Sequence, residues 1–307
     1  MKINVMVNGL NGKMATAVAQ KVVSETSLEL VPYSLTGPET GNDFFAFYID
    51  EGEYSKKEPS KEVEVLCVPP NEREKTALLL DQYRPFVAVD FTLPQAVNEN
   101  AKFYCENSIP FVMGTTGGDR ELLEETVRSS KTISAVIGVN MAAQIVGFQA
   151  MMEYAAKNFP GLFSGYEVFV MESHQSNKAD TSGTAKDIQE KIGILTNREL
   201  SKKPVETRCV GDIKSCLGYI EEGVINKIRR PSDQILMGVP VEHLSGHGWH
   251  SYALVSSDEN IMFQFTHNVN GRAIYAQGAI DAVRFLIKRL NKEKKGKVFS
   301  MIDVLKG

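Results

Sequence analysis

The residues best suited to chemistry lie together at positions 171–185, in the sequence MESHQSNKADTSGTA. His174 can hold or deliver a proton near neutral pH, and Lys178 supplies a full positive charge four positions later. The residues DTSGTA at 180–185 have the hydroxyl groups typical of a helix N-terminus, where backbone amides without helical partners attract anions. The segment therefore predicts a pocket for a small carboxylate with a proton donor beside it.

Each of these residues has an ordinary structural explanation when it is considered alone. A single histidine is more often structural than catalytic, and a single lysine is usually solvated. The functional interpretation depends on their combination. We expect the amides of Gly183, Thr184 and Ala185, with the Thr184 hydroxyl, to hold an anion beside Lys178 and His174.

A second candidate site lies near the amino terminus, in the sequence VMVNGLNGKMA. Gly9, Asn11 and Gly12 separate a strand pattern from a helical pattern that begins with Ala15 on its packing face. The dinucleotide-binding fingerprint needs glycine at the tight turn, at the pyrophosphate and where helix and sheet pack. Asparagine tolerates left-handed backbone, and alanine is small enough to pack. The series therefore favours a dinucleotide site over a plain turn.

The residues after the second predicted strand indicate which dinucleotide binds. NAD sites usually carry Asp or Glu about 20 residues beyond the glycine loop, where the carboxylate binds the ribose. Here PYSLTGP offers Ser34 and Thr36 but no carboxylate, and Lys13 adds a positive charge. A 2′-phosphate fits this composition, so we predict NADPH, with NADH as the alternative.

Two further loops follow predicted strands of the first half. VDFTLP contributes Phe91 and Thr92, and MGTTGGD contributes Gly114, Thr115 and Thr116. Either loop alone would be an ordinary glycine or proline turn. Because ligands of open α/β sheets bind at the carboxyl ends of the strands, the two loops together predict a pocket for the nicotinamide ribose.

These motifs need a scaffold that brings strand ends together, and the first half of the chain predicts one. Strand patterns occur at 3–8, 28–34, 63–68, 86–91, 109–113 and 133–138, with helical patterns between them, the first at 14–23. Such alternation is typical of a doubly wound parallel sheet with right-handed crossovers.

The pattern changes after about residue 141. A long helix at 141–157, a strand and a second helix precede several adjoining strand patterns between 217 and 267, including DQILMGVPV. Adjoining strands predict a mixed or antiparallel sheet. We therefore predict an α/β fold in which residues 1–141 and 272–307, with a helix at 273–290, form a Rossmann-type dinucleotide-binding domain. Residues 142–271 would form an α+β domain for substrate binding and oligomerisation.

Composition and charge restrict the functional classes. The chain has 307 residues and a net charge of −4, which argues against a general nucleic-acid binder. No apolar run reaches the length of a membrane span, and the first residues begin a strand, so we expect no membrane association and no leader on this chain. The four cysteines form no C-x-x-C pair, which favours a reducing compartment: the cytoplasm, or a plastid-type compartment if a targeting segment precedes these residues.

Residues 172–185 resemble one family closely, the dihydrodipicolinate reductases, also called 4-hydroxy-tetrahydrodipicolinate reductases. The family pattern E-x-H-H-x-x-K-x-D-A-P-S-G-T-A is matched by ESHQSNKADTSGTA. The G-x-x-G-[RK]-M, D-F-[ST]-x-P and G-T-T-G loops recur in family order, as do GVNM at 138–141 and HNVNGRAIYAQGA at 267–279. In two departures, Gln175 replaces the second histidine and the proline before Ser182 is missing. Both are more similar to the plant and cyanobacterial-like branch than to the enterobacterial one.

The resemblance implies NAD(P)H-dependent reduction of dihydrodipicolinate, formed from 4-hydroxy-tetrahydrodipicolinate, to tetrahydrodipicolinate in lysine and diaminopimelate biosynthesis. It implies that His174 is the general acid or positions the donating water, and that Lys178 binds a carboxylate of this small dicarboxylate. The other substrate-binding residues would be Gln175, Ser182, Gly183, Thr184 and His250. The cofactor-binding residues would be Gly9, Asn11, Gly12, Lys13, Met14, Ser34, Thr36, Phe91, Thr92, Gly114, Thr115, Thr116, Val139, Asn140, Met141 and Arg272.

Three alternatives compete with this interpretation. A zinc site at His243, His247 and His250 is disfavoured, because the sequence shows no second group of ligands with recognised spacing, so we expect no metal. A sensor that binds NADPH without turnover would not need both His174 and Lys178. A homoserine or aspartate dehydrogenase would lack the run at 172–185. Families of this kind form homodimers or homotetramers, and we expect one of these here.

Overall fold

The computed structural model describes residues 2–49, 61–209, 211–290, 292 and 294–307. The chain divides into two compact units. The first unit contains Met1–Ala143 and Ala273–Gly307, and the second contains Gln144–Arg272.

The strands are numbered in chain order: β1 (Ile3–Asn8), β2 (Leu28–Leu30), β3 (Tyr33–Leu35), β4 (Phe44–Ile49), β5 (Lys61–Val68), β6 (Phe86–Asp90), β7 (Phe111–Met113), β8 (Ala135–Ile137), β9 (Glu167–His174), β10 (Val205–Glu206), β11 (Ile225–Ile228), β12 (His247–Val255), β13 (Met262–Asn270) and β14 (Val298–Phe299). The α-helices are α1 (Lys13–Ser24), α2 (Arg73–Leu80), α3 (Val97–Glu106), α4 (Arg120–Ser129), α5 (Ala143–Asn158), α6 (Gly183–Thr196), α7 (Ile213–Cys216), α8 (Pro231–Leu236), α9 (Ala273–Leu290) and α10 (Met301–Lys306).

The first unit is built on a parallel sheet with the strand order β14-β8-β7-β6-β1-β2. This order confirms the predicted α/β fold, because the chain leaves β1 toward β2 and later returns to place β6 on the other side of β1. The strand order therefore reverses between β1 and β6. Ligands of doubly wound sheets bind at such a switch point, and here the Gly9 and Phe91 loops follow the two strands.

The predicted strand at 28–34 is wrong as a single element. β2 belongs to the parallel sheet, whereas β3 pairs with β5 in a separate sheet of order β3-β5-β4. Pro32 lies between the two short strands and offers only its carbonyl, which accepts from Leu66 N at 3.1 Å. The sequence analysis missed β4, which pairs antiparallel with β5.

The second unit confirms the predicted mixed sheet. Its order is β10-β11-β9-β12-β13; the first three strands are parallel, and β12 is antiparallel to both of its neighbours. Side chains alternate between the faces, as in any strand. Val170 and Tyr252 pack with Ile188 of α6 on one face, and Met171 packs with Ile213 of α7 on the other.

Other boundaries follow the local sequence to different extents. The helices predicted at 14–23, 141–157 and 273–290 are α1, α5 and α9, each within two residues of the expected limits. The strand predicted at DQILMGVPV is wrong, because residues 231–236 form helix α8. Pro231 occupies the first turn of α8, where its fixed φ suits a helix and its missing N–H costs no hydrogen bond.

Cys209 and Cys216 form a disulfide, and both are buried. The sequence analysis did not predict this bond, because the two cysteines are seven positions apart and no recognised motif marks them. Cys67 is a buried free thiol and Cys105 is a half-buried one. Among the helices that the structure describes, none combines the length and the apolar character that crossing a membrane requires.

Candidate active site

The site of the second unit is built at the end of β9. Glu172 and His174 lie two residues apart on one face of this strand. Strand pairing places His250 of β12 opposite Glu172, and His267 of β13 opposite His250. Gly248 lies opposite His174 and brings no side chain. Three adjacent strands thus contribute one carboxylate and three imidazoles to the same face.

Glu172 connects the strand to the start of α6. Its carboxylate is fully buried, and it accepts from Arg229 Nη2 at 2.5 Å and from the backbone N–H of Ser182 at 3.0 Å. Arg229 is also buried and donates through Nε to the carbonyl of Lys178 at 3.1 Å. The sequence analysis did not assign a role to Glu172 or Arg229. The only signal for Arg229 was a cation at the end of an apolar strand pattern.

The loop between β9 and α6 is held through its carbonyl groups. Gln234 Nε2 donates to the carbonyl of His174 at 2.6 Å, and Lys227 Nζ donates to that of Ala179 at 2.8 Å. With the bond from Arg229, which directly follows β11, three side chains fix the backbone at the end of β9 and in this loop. The side chains of the loop are therefore positioned without using their own polar groups.

Lys178 is presented toward the surface with a counterion of its own. Nζ contacts both carboxylate oxygens of Asp180 at 2.7 Å. The hydrogen bond from Lys178 lowers the pKa of Asp180. Asp180 is 74% exposed, whereas the Lys178 side chain is 21% exposed. An incoming carboxylate can therefore replace the exposed Asp180 at a cation that is already in place.

The start of α6 has the predicted helix cap. Ser182 is the N-cap, and its hydroxyl accepts from the backbone N–H of Ala185 at 3.5 Å. The expectation that the Ala185 amide faces an anion is therefore wrong, since the cap uses it. Gly183 is exposed, and a Cβ there would meet no atom within 4 Å. Thr184 is half-buried beside it.

His174 belongs to a network of buried rings. Its Nδ1 lies 3.0 Å from the carbonyl oxygen of His247, and its Nε2 lies 3.1 Å from His250 Nε2. His250 Nδ1 lies 3.1 Å from the Tyr252 hydroxyl, and His267 stacks on His250 with ring centroids 4.5 Å apart. The sequence analysis assigned no role in this site to His247, Tyr252 or His267.

Burial controls the charge of these imidazoles. Burial, followed by the positive charge of Arg229, lowers the pKa of His174 to about 3. Burial lowers the pKa of His267 to about 4 and that of His250 well below its usual value. The three rings are therefore neutral at neutral pH in the ligand-free protein.

Gln175 follows β9 directly and is half-buried. Its carbonyl accepts from the backbone N–H of Lys178 at 3.0 Å, which closes the turn that carries this lysine.

The glycine loop of the first unit has the predicted backbone. Gly9 has φ +93°, and a Cβ there would lie 2.5 Å from the carbonyl oxygen of Phe91. Asn11 has φ 69°, which confirms the left-handed conformation expected of it. Gly12 caps α1, and a Cβ would lie 2.8 Å from the carbonyl oxygen of Gly9. Lys13 is exposed and Met14 is half-buried in the first turn of α1.

Ser34 and Thr36 lie deeper than the sequence analysis expected. Ser34 is fully buried, and its hydroxyl accepts from the backbone N–H of Leu10 at 3.1 Å. It therefore supports the glycine loop and does not present its hydroxyl to a ligand. Thr36 is 4% exposed, and its hydroxyl has no hydrogen-bond partner among the described residues.

The two other loops of the first unit meet at one buried carboxylate. Asp90 accepts from the hydroxyls of Thr92 at 2.7 Å, Thr115 at 3.1 Å and Tyr104 at 2.7 Å. Phe91 is packed so closely that a Cβ on Gly114 would collide with its ring. The structure thus brings the loops after β6 and β7 together, with Thr116 exposed at the end.

Of the remaining predicted cofactor residues, those at 139–141 follow β8, the neighbour of β7 in the parallel sheet. Val139 is 72% exposed after β8, Asn140 Oδ1 accepts from Ala142 N at 2.9 Å, and Met141 is buried. Arg272 belongs to the second unit, where its guanidinium lies against Gly246.

The described residues contain one group of side chains that could converge on a metal ion. The ligand atoms of Glu172, His174 and His250 lie within 4.8 Å of one another. The Glu172 carboxylate accepts a hydrogen bond from Arg229, and His174 Nε2 is hydrogen-bonded to His250 Nε2. These groups are thus engaged in hydrogen bonds with other side chains of the site.

Comparison with known proteins identifies the family. The model of the amino-terminal part of dihydrodipicolinate reductase matches residues 3–141, and that of the carboxyl-terminal part matches residues 144–305. The chain belongs to the dihydrodipicolinate reductase family. It is a reductase and, like the other members of this family, uses a nicotinamide cofactor.

Named relatives agree over almost the whole chain. It is 41% identical to 4-hydroxy-tetrahydrodipicolinate reductase 1, chloroplastic, of Arabidopsis thaliana, over 99% of this chain and 78% of the relative. It is 26% identical to the reductase of Burkholderia thailandensis, over 99% and 98% of the two chains. A dipicolinate-bound dihydrodipicolinate reductase from Paenisporosarcina sp. TG-14 shares the fold, with a TM-score of 0.59, 22% identity and 99% coverage of both chains.

Proposed function

We propose that this chain reduces dihydrodipicolinate to tetrahydrodipicolinate with NADPH, as an enzyme of lysine and diaminopimelate biosynthesis. The observation that carries the proposal is the end of β9, where His174, Lys178 and the N-terminus of α6 meet in a chain of this family. A dianionic substrate needs cations and backbone amides, and reduction of the ring needs one proton besides the hydride.

Lys178 and the α6 N-terminus would bind the substrate carboxylates. Arg229 holds the backbone carbonyl of Lys178, and a Cβ at Gly183 would meet no atom within 4 Å, which leaves the start of α6 open. Gln175 can donate an amide hydrogen to a carboxylate where the family pattern has a second histidine. Ser182 contributes by capping the helix, and Thr184 lies at the same helix start.

His174 would handle the proton. In the ligand-free protein burial and the charges of Arg229 and Lys178 keep it neutral. A bound dianion offsets those positive charges, which favours protonation of His174. His174 can then deliver the proton to the ring carbon next to the reduced position, directly or through a water molecule.

The first unit has a cradle that fits a dinucleotide. A Cβ at Gly9 or Gly12 would collide with the backbone of Phe91 or of Gly9, so this tight loop needs glycine at both positions. No side chain caps the N-terminus of α1, so its amides are left for a phosphate. When bound, the nicotinamide supplies the hydride. Phe91, Thr92, Gly114 and Thr115 would line the ribose side of this cradle, with Thr116 and residues 139–141 beside them. We retain NADPH over NADH because Lys13 is exposed at the start of α1 and residues 32–38, which include β3, carry no carboxylate.

A coupled assay tests the proposal. With a dihydrodipicolinate synthase supplying the substrate, we expect NADPH oxidation, and a higher kcat/KM with NADPH than with NADH. Lys178→Ala should lower kcat/KM by about 10²–10³-fold with little change in the Kd of NADPH. The matched control is Lys186→Ala, which removes an exposed lysine from α6 and should retain activity. No turnover by the unmodified protein would refute the function, and an equal loss of NADPH binding would refute the assigned role of Lys178.

We further propose a homodimer or homotetramer formed through the second unit. Within the described part of the chain, β13 is an edge strand of nine residues. Phe263 in this strand is 43% exposed, and Ile261 directly before it is 48% exposed. A long unpaired edge with apolar side chains favours pairing with another copy. Sedimentation of the purified protein checks this, and a monomer at assay concentration would contradict it. We place the enzyme in the cytoplasm or a plastid-type compartment.

A further inference from the structure

The hydrogen positions in the histidine network can be deduced from its acceptors. His174 Nδ1 lies 3.0 Å from a backbone carbonyl oxygen, which can only accept, so Nδ1 carries the hydrogen. A neutral imidazole has one such hydrogen, which leaves a lone pair on His174 Nε2. That atom lies 3.1 Å from His250 Nε2. The His250 Nε2–H must therefore donate to His174.

The same reasoning extends to Tyr252. Because the hydrogen of His250 is on Nε2, its Nδ1 accepts, and the Tyr252 hydroxyl 3.1 Å away donates. Three hydrogen bonds thus point in one direction, from Tyr252 through His250 and His174 to the backbone of β12. Tyr252 is fully buried and His250 is 3% exposed, while the His174 side chain is 15% exposed. The chain of bonds runs from the core to the open end of β9.

A proton on His174 is incompatible with this direction. Doubly protonated His174 would point its Nε2–H at the Nε2–H of His250. To accept that hydrogen, His250 must carry its own hydrogen on Nδ1, and the Tyr252 hydroxyl must then accept instead of donate. A tyrosine hydroxyl can do either. Charging His174 therefore requires both partners to reverse.

We propose that Tyr252 and His250 form a tautomer lock that holds His174 neutral, with its hydrogen on Nδ1, until the anionic substrate binds. The proposal rests on the proposed function, because it concerns the residue assigned to proton delivery. When the substrate binds, His174 gains one proton from solvent at Nε2. His250 gives up its hydrogen at Nε2 and takes one at Nδ1, and the Tyr252 hydroxyl rotates to accept from it, so that each of these two partners still carries one hydrogen. Delivery of the proton to the substrate restores the first arrangement. Tyr252 and His250 are thus positioning residues.

Several charged or titratable groups surround the lock and stay unchanged when Tyr252 alone is altered. They are Glu172 on β9, Arg229 after β11, Lys178 and Asp180 in the loop, His247 on β12, His267 on β13 and Asp187 on α6. A change caused by removal of the Tyr252 hydroxyl therefore reports on the hydrogen-bond direction and not on a lost charge.

Tyr252→Phe tests the lock, since it removes the hydroxyl and keeps the ring. Without the donor at Nδ1, His250 can place its hydrogen there and accept from His174 at Nε2. We expect the pKa of His174 to rise by about half to one unit, the size of one net hydrogen bond. Ring-nitrogen NMR of the ligand-free protein measures this pKa and the tautomers. Because a proton donor is inactive once deprotonated, the alkaline limb of the kcat/KM profile should move to higher pH. Tyr166→Phe is the control, since Tyr166 is a half-buried tyrosine of the same unit.

The outcomes separate the lock from the proposed function. A His174 hydrogen on Nε2 in the unmodified protein would overturn the lock, as would an unchanged His174 pKa and pH profile in Tyr252→Phe. The tautomer measurement needs only the unmodified protein, so it decides the matter even if the variant fails to fold. An intact lock in a protein that does not turn over the substrate would contradict the proposed function alone.

Discussion

The glycine loop of the first unit and the end of β9 in the second unit differ in the groups that form their surfaces. At the glycine loop the surface proposed to face the cofactor is backbone, and its shape depends on side chains being absent at Gly9 and Gly12. At β9 the surface is made of ionisable side chains, held by the buried pair of Glu172 and Arg229. The first kind of site depends on local conformation, and the second depends on strand pairing and charge balance.

Removing one member of the buried pair should give the largest effect on stability. Glu172→Gln leaves the Arg229 guanidinium buried without its counterion, so we expect a loss of about 3–5 kcal/mol in the free energy of unfolding of the second unit. Urea unfolding followed by the fluorescence of Trp249, the single tryptophan, measures it. Asp180→Asn breaks an exposed ion pair in the same loop and should cost below about 1 kcal/mol. Similar losses in both variants would show that Glu172 and Arg229 do not organise the site.

Adding one methyl group should disable the backbone-built site. Gly9→Ala places a Cβ 2.5 Å from the Phe91 carbonyl oxygen at φ +93°, so the loop must shift. We expect the Kd of NADPH to rise about 10-fold or more, measured by fluorescence titration. Gly165→Ala is a matched control, because Gly165 also has a positive φ of 86° but no atom lies within 4 Å of its Cβ position. An unchanged NADPH affinity in Gly9→Ala would remove the loop from the cofactor site.

Mild acid should lower the stability of the second unit more than that of the first, by less than either substitution above changes its own measured quantity. All five histidines lie in the second unit. Below about pH 6.5 an unfolded histidine binds a proton, whereas folded His174 and His267 do not until about pH 3 and 4. Unfolding therefore takes up protons, and stability falls as pH drops, by up to about 1.4 kcal/mol per pH unit for each buried histidine.

Urea midpoints from Trp249 fluorescence between pH 7 and pH 5 measure this dependence. The window lies above the ordinary pKa of carboxylates, so histidines dominate the titration. His267→Gln should reduce the slope by the share of one histidine. A slope near zero in the unmodified protein would contradict the neutral state of the buried rings.

The comparison also explains what the sequence could reveal. Gly9, Asn11 and Gly12 act through their own backbone, and Ser182 caps its own helix through its hydroxyl, so the local sequence predicted these features. The limits of α1, α5 and α9 followed from local periodicity in the same way.

Residues that act across strands had no such signal. The pairing of strands brings Arg229, Tyr252 and His267 to the site. β11 and β12 both pair with β9, and β13 pairs with β12. Nothing in the local sequence of these residues indicates that register. Ser34 was misjudged for a related reason. Its exposure depends on the glycine loop folding over it, which a composition pattern does not show.

The carbonyl bonds to the loop between β9 and α6 have a consequence for variation. The loop is held through its backbone carbonyl groups, which accept from Lys227, Arg229 and Gln234 and which every amino acid possesses. Residues 175–177 can therefore be exchanged without loosening the backbone that aims Lys178. This arrangement makes the loop a natural place to retune substrate preference, since a library at these three positions would alter the contacts while the frame beneath stays the same.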